Sequence, residues 1–247
     1  MKVTFIGTSS GLSVLNRSHA SIHFDDYRTS FLLDCGEGTT NSLLKNGIDT
    51  GKIGKIIISH CHPDHCAGIP ILMQYLHLIK RENRLDLYLP LGTSEAFRRY
   101  FEQVYLINEK LTFDYSLWEY GENAQITVGK VVIKPIPNRH LEGPDSLASI
   151  MRISINSYSL SVGQDGKSVY YSADLKDIED LNPPAGTSIM IVESTHLSVS
   201  DAVKKADEMK VERLIMTHIS PEMELKKDEL TARFKCEFAF DGMTFTI

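Results

Sequence analysis

Six consecutive residues, His60-Cys61-His62-Pro63-Asp64-His65, hold three imidazoles and a carboxylate. Neutral imidazoles bind divalent cations well, and a carboxylate among them can hold a second ion or take a proton from a bound water. Buried with neither a cation nor hydrogen bonds, four such groups would carry a heavy desolvation cost. The run follows Lys55-Ile56-Ile57-Ile58-Ser59, a buried-strand pattern, so the cluster is predicted at a strand end. One loop cannot fill two coordination shells. Three further residues of ligand type follow strand-like runs: His140 after 131–137, Asp174 after Val169-Tyr170-Tyr171-Ser172-Ala173, and His218 after Leu214-Ile215-Met216-Thr217. Loops at strand ends gather along one edge of a sheet, so these residues and the six-residue cluster predict one metal centre.

The elements that must position them alternate along the chain. Strands are predicted at 2–6, 20–25, 29–34, 55–59, 86–90, 125–136, 148–162, 167–172, 188–193, 213–217, 236–240 and 243–246. Asp165-Gly166 and Asp241-Gly242 have the spacing of two-residue hairpin turns, predicting antiparallel pairs on either side of each. Helices are predicted over about 39–46, ended by Gly47, and over about 68–82, with Pro70 in the first turn. Another starts near Ser94, one runs from the capping box Ser198-x-x-Asp201 to about 209, and one opens at Ser220-Pro221-Glu222. With no linker or low-complexity break, residues 1–247 are predicted to form a single α/β domain, a four-layer αββα sandwich of two mixed sheets.

Composition fits an ordinary globular chain of 247 residues, 42% hydrophobic, with 26 Lys+Arg against 32 Asp+Glu. The net charge of −6 argues against a surface that coats nucleic acid as a whole and leaves Lys80, Arg81 and Arg84, with Arg98 and Arg99, as local basic candidates. The apolar stretch from Cys66 to Ile79 is too short for a membrane span and is broken by Gln74 and His77. The N-terminus lacks the apolar run and cleavage site of a secretory signal, and the four cysteines form no C-x-x-C pair. A cytoplasmic protein with reduced thiols and no membrane partner is expected. Cys61 and Cys66 are expected to pack beside the ligands, and His19, His23 and His77 to be packed or surface residues. Trp118 with Tyr115 and Tyr120 reads as a core cluster, dimer contact or stacking platform.

The pattern His60-x-His62-x-Asp64-His65 with His140, Asp174 and His218 resembles the metallo-β-lactamase superfamily. The resemblance implies that His60, His62 and His140 hold one cation and Asp64, His65 and His218 the other. Asp174 would bridge them, and a hydroxide between the two metals would be the nucleophile. Two Zn²⁺ are implied, or Mn²⁺ in their place. Asp64 would serve as general base or hydroxide orienter. A di-iron redox branch carries Glu at the position of His62, and one large class of β-lactamases carries Cys at that of Asp174. Hydrolysis, rather than redox chemistry or antibiotic cleavage, is therefore implied.

Phe5-Ile6-Gly7-Thr8-Ser9-Ser10-Gly11 and Phe31-Leu32-Leu33-Asp34-Cys35-Gly36-Glu37-Gly38-Thr39 resemble the start of ribonuclease Z, the tRNA 3′-end endonuclease family. Small residues in the first segment could let backbone N–H groups approach a phosphate, and Asp34 is expected to orient the metal loop without binding metal. Glu193-Ser194-Thr195-His196 resembles that family's acidic-and-histidine motif, with Asp201-Ala202 following. It implies His196, oriented by Glu193, as proton donor to the leaving oxygen.

Two departures separate the chain from common ribonuclease Z. The interval 174 − 140 = 34 residues leaves no room for a tRNA-gripping arm, and Ser146-Leu147-Ala148-Ser149-Ile150 lacks the family's Gly-Tyr pair. The segments Met216-Thr217-His218-Ile219-Ser220 and Phe240-Asp241-Gly242-Met243 resemble instead the cyclic phosphodiesterase of phosphonate breakdown, whose cysteine-rich N-terminal site is absent here. The expectation is a dinuclear phosphodiesterase acting on a small molecule or RNA, as a homodimer by resemblance. The alternatives are a thioesterase or lactonase on the same centre, or a tRNA 3′-end endonuclease.

Overall fold

The computed structural model describes residues 1–143 and 153–247. The first sheet contains β1 (Lys2–Gly7), β2 (Ser21–Asp25), β3 (Ser30–Leu33), β4 (Ile53–Ile57), β5 (Leu85–Pro90), β6 (Tyr115–Tyr120) and β14 (Thr244–Thr246), ordered β14-β1-β2-β3-β4-β5-β6. The second contains β7 (Ile126–Val128), β8 (Val131–Asn138), β9 (Ser157–Gln164), β10 (Lys167–Tyr171), β11 (Ile189–Glu193), β12 (Arg213–Thr217) and β13 (Glu237–Phe238), ordered β13-β12-β11-β10-β9-β8-β7. Each sheet is antiparallel on one side and parallel on the other: β3 to β6 run parallel, as do β10 to β13. Among the described residues the α-helices are α1 (Thr39–Lys45), α2 (Pro63–Cys66), α3 (Ile69–Leu78), α4 (Ser94–Gln103), α5 (Val199–Glu208) and α6 (Pro221–Arg233).

Strand alternation decides which side chains go where. In β4, Ile57 faces the space between the sheets, where Phe5, Phe24 and Leu33 meet Ile133, Leu160, Val169, Ile191 and Ile215 of the second sheet. Its neighbour Ile56 faces outward, against Leu43 of α1, Leu72, Met73 and Leu76 of α3, and Phe101 of α4. On the other outer face, Tyr170, Met190, Val192, Leu214 and Met216 pack against Val199, Ala202 and Ala206 of α5. The layers are therefore helix, sheet, sheet, helix, the αββα sandwich that the alternating elements imply. Strands buried on both faces lose the polar–apolar alternation of half-exposed strands, which is why the parallel ones read as continuous apolar runs.

Asp165 and Gly166, at φ 49 and 82, turn β9 into β10 with Gln164 opposite Lys167, as expected for a two-residue hairpin. Asp241-Gly242 does not make the predicted hairpin. The strand before it, β13, joins β12 in the second sheet, and the strand after it, β14, joins β1 in the first. The turn carries the chain between sheets, and the Asp241 carboxylate accepts hydrogen bonds from Thr8 Oγ1 at 2.7 Å and Ser18 N at 2.6 Å. The run 125–136 is broken at Gly129-Lys130 into β7 and β8, and β6 was not predicted. The N-terminal part of the run 148–162 lies outside the described residues.

Candidate metal centre

The predicted ligands leave three parallel strands and one antiparallel strand at a common edge. His60 and the one-turn helix α2 follow β4, His140 follows β8, Asp174 follows β10, and His218 follows β12. Three non-glycine residues here have left-handed backbone, Asp34 (φ 58), Ala173 (φ 49) and His218 (φ 57), so the chain turns sharply as it leaves each strand. Gly68 and Gly36 let the metal loop seat against the loop after β3. A Cβ on Gly68 would lie 2.1 Å from Gly36 O, and one on Gly36 would lie 2.2 Å from Asp64 O.

Two groups of ligand atoms result, each within 4.8 Å: His60, His62, His140 and Asp174, and Asp64, His65, Asp174 and His218. Asp174 belongs to both. In the first, His62 Nδ1 lies 3.1 Å from both His60 Nε2 and His140 Nε2, and Asp174 Oδ2 lies 3.6 Å from His140 Nε2. In the second, His218 Nε2 lies 3.1 Å from Asp64 Oδ2 and 3.3 Å from Asp174 Oδ1.

Four of the five rings turn one nitrogen inward and hold the other from outside. His65 Nδ1 donates to Asp34 Oδ2 at 2.7 Å, and His60 Nδ1 lies 3.1 Å from Ser59 Oγ. His218 Nδ1 lies 3.0 Å from Thr195 Oγ1, and His140 Nδ1 lies 3.4 Å from Leu175 O. An outer acceptor on Nδ1 fixes the tautomer whose Nε2 lone pair faces the centre, which is the arrangement of metal-ligating imidazoles. Two atoms at the middle, His65 Nε2 and Asp174 Oδ1, are buried 3.2 Å apart without a hydrogen bond of acceptable geometry. Converging lone pairs and orphaned buried polar atoms fit divalent cations, and the His/Asp donor set suits them.

Electrostatics separates the two groups. Burial pushes the imidazoles of His60, His62 and His140 below their ordinary value. Burial opposes charge on His65 as well, but the carboxylates of Asp174 and Asp34 against it raise it well above 6.5. Asp174 stays ionised against its own burial because His218 and His65 face it. Asp64, despite burial, is brought down to about 2 by its contacts with His218 and His65.

His196 follows β11 at the rim, 37% exposed, its ring 5.0 Å from that of His140. Glu193 is fully buried and accepts from Thr195 N at 2.5 Å and His196 N at 2.9 Å, while its Oε1 lies 3.4 Å from His196 Nδ1. That carboxylate raises the His196 imidazole above its ordinary value.

Other predicted residues lie elsewhere or act differently. The N–H groups of Ser9 and Ser10 are taken by Ser18 O and Ile219 O, so the Gly-Thr-Ser-Ser-Gly turn offers neither to a phosphate. Its glycines serve close approach, since a Cβ on Gly7 would lie 1.7 Å from His19 O and one on Gly11 3.2 Å from Asp64 Oδ2. Arg81 is spent on the carbonyls of Thr50, Gly51, Asn83 and Arg84; Arg84 pairs with Asp86, and Arg98 and Arg99 both pair with Glu95. His77 Nδ1 accepts from Thr112 N, which gives it a structural role. Tyr115, Trp118 and Tyr120 lie on the single strand β6, where Tyr120 donates to Ile58 O and Trp118 to Asp86. Cys61 and Cys66 belong to neither ligand group, and burial raises both thiols, that of Cys61 to about 11. Residues 146–150 lie outside the described residues. Sequence reasoning missed Ser59, Thr195, the Leu175 carbonyl and Tyr171, whose OH donates to Asp34 Oδ2 at 2.8 Å, because hydroxyls and carbonyls are too common to mark a site by type.

Residues 29–219 match the family model described as a beta-lactamase superfamily domain. A ribonuclease Z of Methanothermobacter thermautotrophicus is 28% identical over 269 aligned positions, covering 89% of this chain and 87% of its own length. Among solved structures, human short-form tRNase Z superposes with a TM-score of 0.75 at 22% identity, covering 100% of this chain and 99% of its own. A diphosphatase of the PhnP family does so at 0.73 and 18%, covering 100% and 97%. Among the described residues no helix is long and apolar enough to cross a membrane.

Proposed function

Because this chain belongs to the β-lactamase superfamily, we propose that it is a metal-dependent phosphodiesterase of the ribonuclease Z-like branch. One observation carries the reading: two four-residue ligand groups share the Asp174 carboxylate, with the Glu193–His196 pair at their rim. The cations proposed are two Zn²⁺, with Mn²⁺ as the alternative, held by His60, His62, His140 and Asp174 and by Asp64, His65, His218 and Asp174. Bound there, they would lower the pKa of water and offset charge developing on phosphoryl oxygens.

The chain's own residues divide the remaining work. A carboxylate brought down to about 2 is a weak base, so Asp64 is assigned as ligand and as an acceptor that orients the attacking water. Glu193 raises the His196 imidazole above its ordinary value and so favours its protonated form, and His196 is assigned to deliver that proton to the leaving oxygen. Asp34, which touches His65 and neither group's centre, positions.

The ribonuclease Z relatives favour an RNA phosphodiester. Of the basic residues that the sequence offers to grip a long RNA, Arg81, Arg84, Arg98 and Arg99 are instead paired within the fold, and Lys80 stands exposed. A short or small phosphodiester therefore suits this chain better than a gripped tRNA. Homodimer formation and a cytoplasmic location belong to the same reading.

Hydrolysis of bis(p-nitrophenyl) phosphate by zinc- and manganese-loaded protein tests the class, with Asp64→Ala as the blank. Turnover that disappears in the variant is expected. Wild-type protein carrying both cations but cleaving only thioesters or lactones would overturn the proposal. Precursor tRNA compared with 2′,3′-cyclic nucleotides, at rising salt, then separates RNA from small substrates, since released counterions make RNA binding steeply salt-dependent.

A further inference from the structure

His140 and Asp174 leave β8 and β10, which are not neighbours: β9 lies between them and runs antiparallel to both. No ladder hydrogen bond therefore fixes one exit loop against the other. The link is made by Asp180, whose carboxylate is almost wholly buried. Its Oδ2 accepts from Arg139 N at 3.0 Å and from Lys176 N at 3.1 Å, one residue before His140 and two after Asp174. Its Oδ1 accepts from Arg139 Nε at 2.8 Å, and Arg139 Nη2 donates to Asp177 Oδ1 at 2.6 Å. Leu175 and Leu181, fully buried on either side of this turn, root it in the outer core of the second sheet. Leu175 O in turn faces His140 Nδ1 at 3.4 Å.

We propose that Asp180 and Arg139 are positioning residues, a clamp that sets His140 against Asp174 and completes the group of His60, His62, His140 and Asp174. The inference rests on the ligand reading given under the proposed function. One carboxylate oxygen that accepts from both loops fixes their spacing. The planar guanidinium, reaching two acids of the turn, fixes their orientation in a way a flexible ammonium cannot. Glu179, exposed and 3.4 Å from the same guanidinium, adds a contact but no link between the loops.

Zinc titration against a chromophoric chelator, together with cobalt(II) absorption spectra, tests the clamp. The variants are Asp180→Asn, with Glu179→Gln as the control. Asn keeps the shape but has one acceptor oxygen: turned toward Arg139 N and Lys176 N it sets its NH₂ against Arg139 Nε and breaks the guanidinium arm, and turned toward Arg139 Nε it releases both loops. The expected result is that wild-type protein binds two equivalents and Asp180→Asn holds one of them about 10- to 100-fold more weakly. The other equivalent and the melting temperature measured in chelator should stay near wild type, and Glu179→Gln should be unchanged. Two equivalents bound by Asp180→Asn with wild-type affinity would overturn the clamp. So would weakening of both equivalents in step with a lower melting temperature, which marks general loss of structure. Wild-type protein that binds fewer than two equivalents would instead overturn the ligand reading beneath it. If Asp180→Asn does not fold, Arg139→Lys, which keeps the charge and loses the fork, is read by the same outcomes.

Discussion

Replacing Asp34 by Asn should cost several kcal/mol and detune the centre without touching it. Asp34 Oδ2 accepts from His65 Nδ1 at 2.7 Å, Tyr171 OH at 2.8 Å and Ser59 Oγ at 2.9 Å, and Oδ1 accepts from Ser59 N at 2.7 Å. Every neighbour is a donor, and burial keeps the Tyr171 phenol protonated so that it stays one. An Asn must point its NH₂ at one of them. The least costly choice sets it against Ser59 N, leaving a buried donor unsatisfied at about 1–3 kcal/mol. The other three bonds fall from charge-assisted to neutral, about 1 kcal/mol each. Since all three share one acceptor the sum is not strictly additive, and a loss of about 4 kcal/mol is expected. The backbone contributes nothing to this figure, because Asn tolerates the left-handed φ of 58 that Asp34 adopts. Guanidinium unfolding in chelator measures the loss. A parallel zinc titration should show about 10- to 100-fold weaker binding, because Asp34 sets the tautomer of His65 directly and that of His60 through Ser59. A loss below about 1 kcal/mol with wild-type zinc affinity would refute the account of Asp34 as the acceptor on which the metal loop is built.

Three more outcomes follow from the same geometry. His196→Gln should lower kcat about 10²- to 10⁴-fold on an unactivated phosphodiester but little on bis(p-nitrophenyl) phosphate, whose leaving group needs no proton. In wild type, kcat should fall as pH rises through the His196 pKa, held above its ordinary value by Glu193, and this limb should vanish in the variant. His65 must give up a proton to ligate, so zinc affinity of the group of Asp64, His65, Asp174 and His218 should fall steeply with pH below its raised pKa. Affinity of the group with His60, His62 and His140, already depressed, should change less; competition titrations between about pH 6 and 8 separate the two. Gly68→Ala places a Cβ 2.1 Å from the backbone oxygen of Gly36, which cannot step aside. A loss of about 3 kcal/mol, or roughly 6–12 °C in melting temperature, is expected by calorimetry.

The candidate ligands were legible because their residue types are scarce and the cluster and each single residue follow an apolar run. Asp34 apart, the partners that orient them were not. Leu175 acts through its carbonyl and Thr195 through an ordinary hydroxyl, and the clamp on Arg139 joins residues 41 apart across an intervening strand. Local rules also failed where tertiary structure chose the outcome. Asp241-Gly242 has the chemistry of a tight turn, and Gly242 does adopt a φ of 94, but turn chemistry does not say which strands will pair. The strand β6 escaped notice because Ser116 and Glu119 interrupt its apolar pattern on the edge of the sheet.

The pairing of β14 with β1 has a consequence for how the molecule comes into being. Lys2 lies opposite Thr246, so the strand that leaves the ribosome first in this segment completes its hydrogen bonds only with the one that leaves last. Until then β1 can pair only with β2, and the turn at Asp241 that clasps Thr8 and Ser18 does not exist. Closing so long a loop is slow relative to local steps. The loop after β1, whose Gly11 lies against Asp64, is therefore fastened late. A chain still being translated can carry His60, His62, Asp64 and His65 in place for some time before the wall beside them is secured.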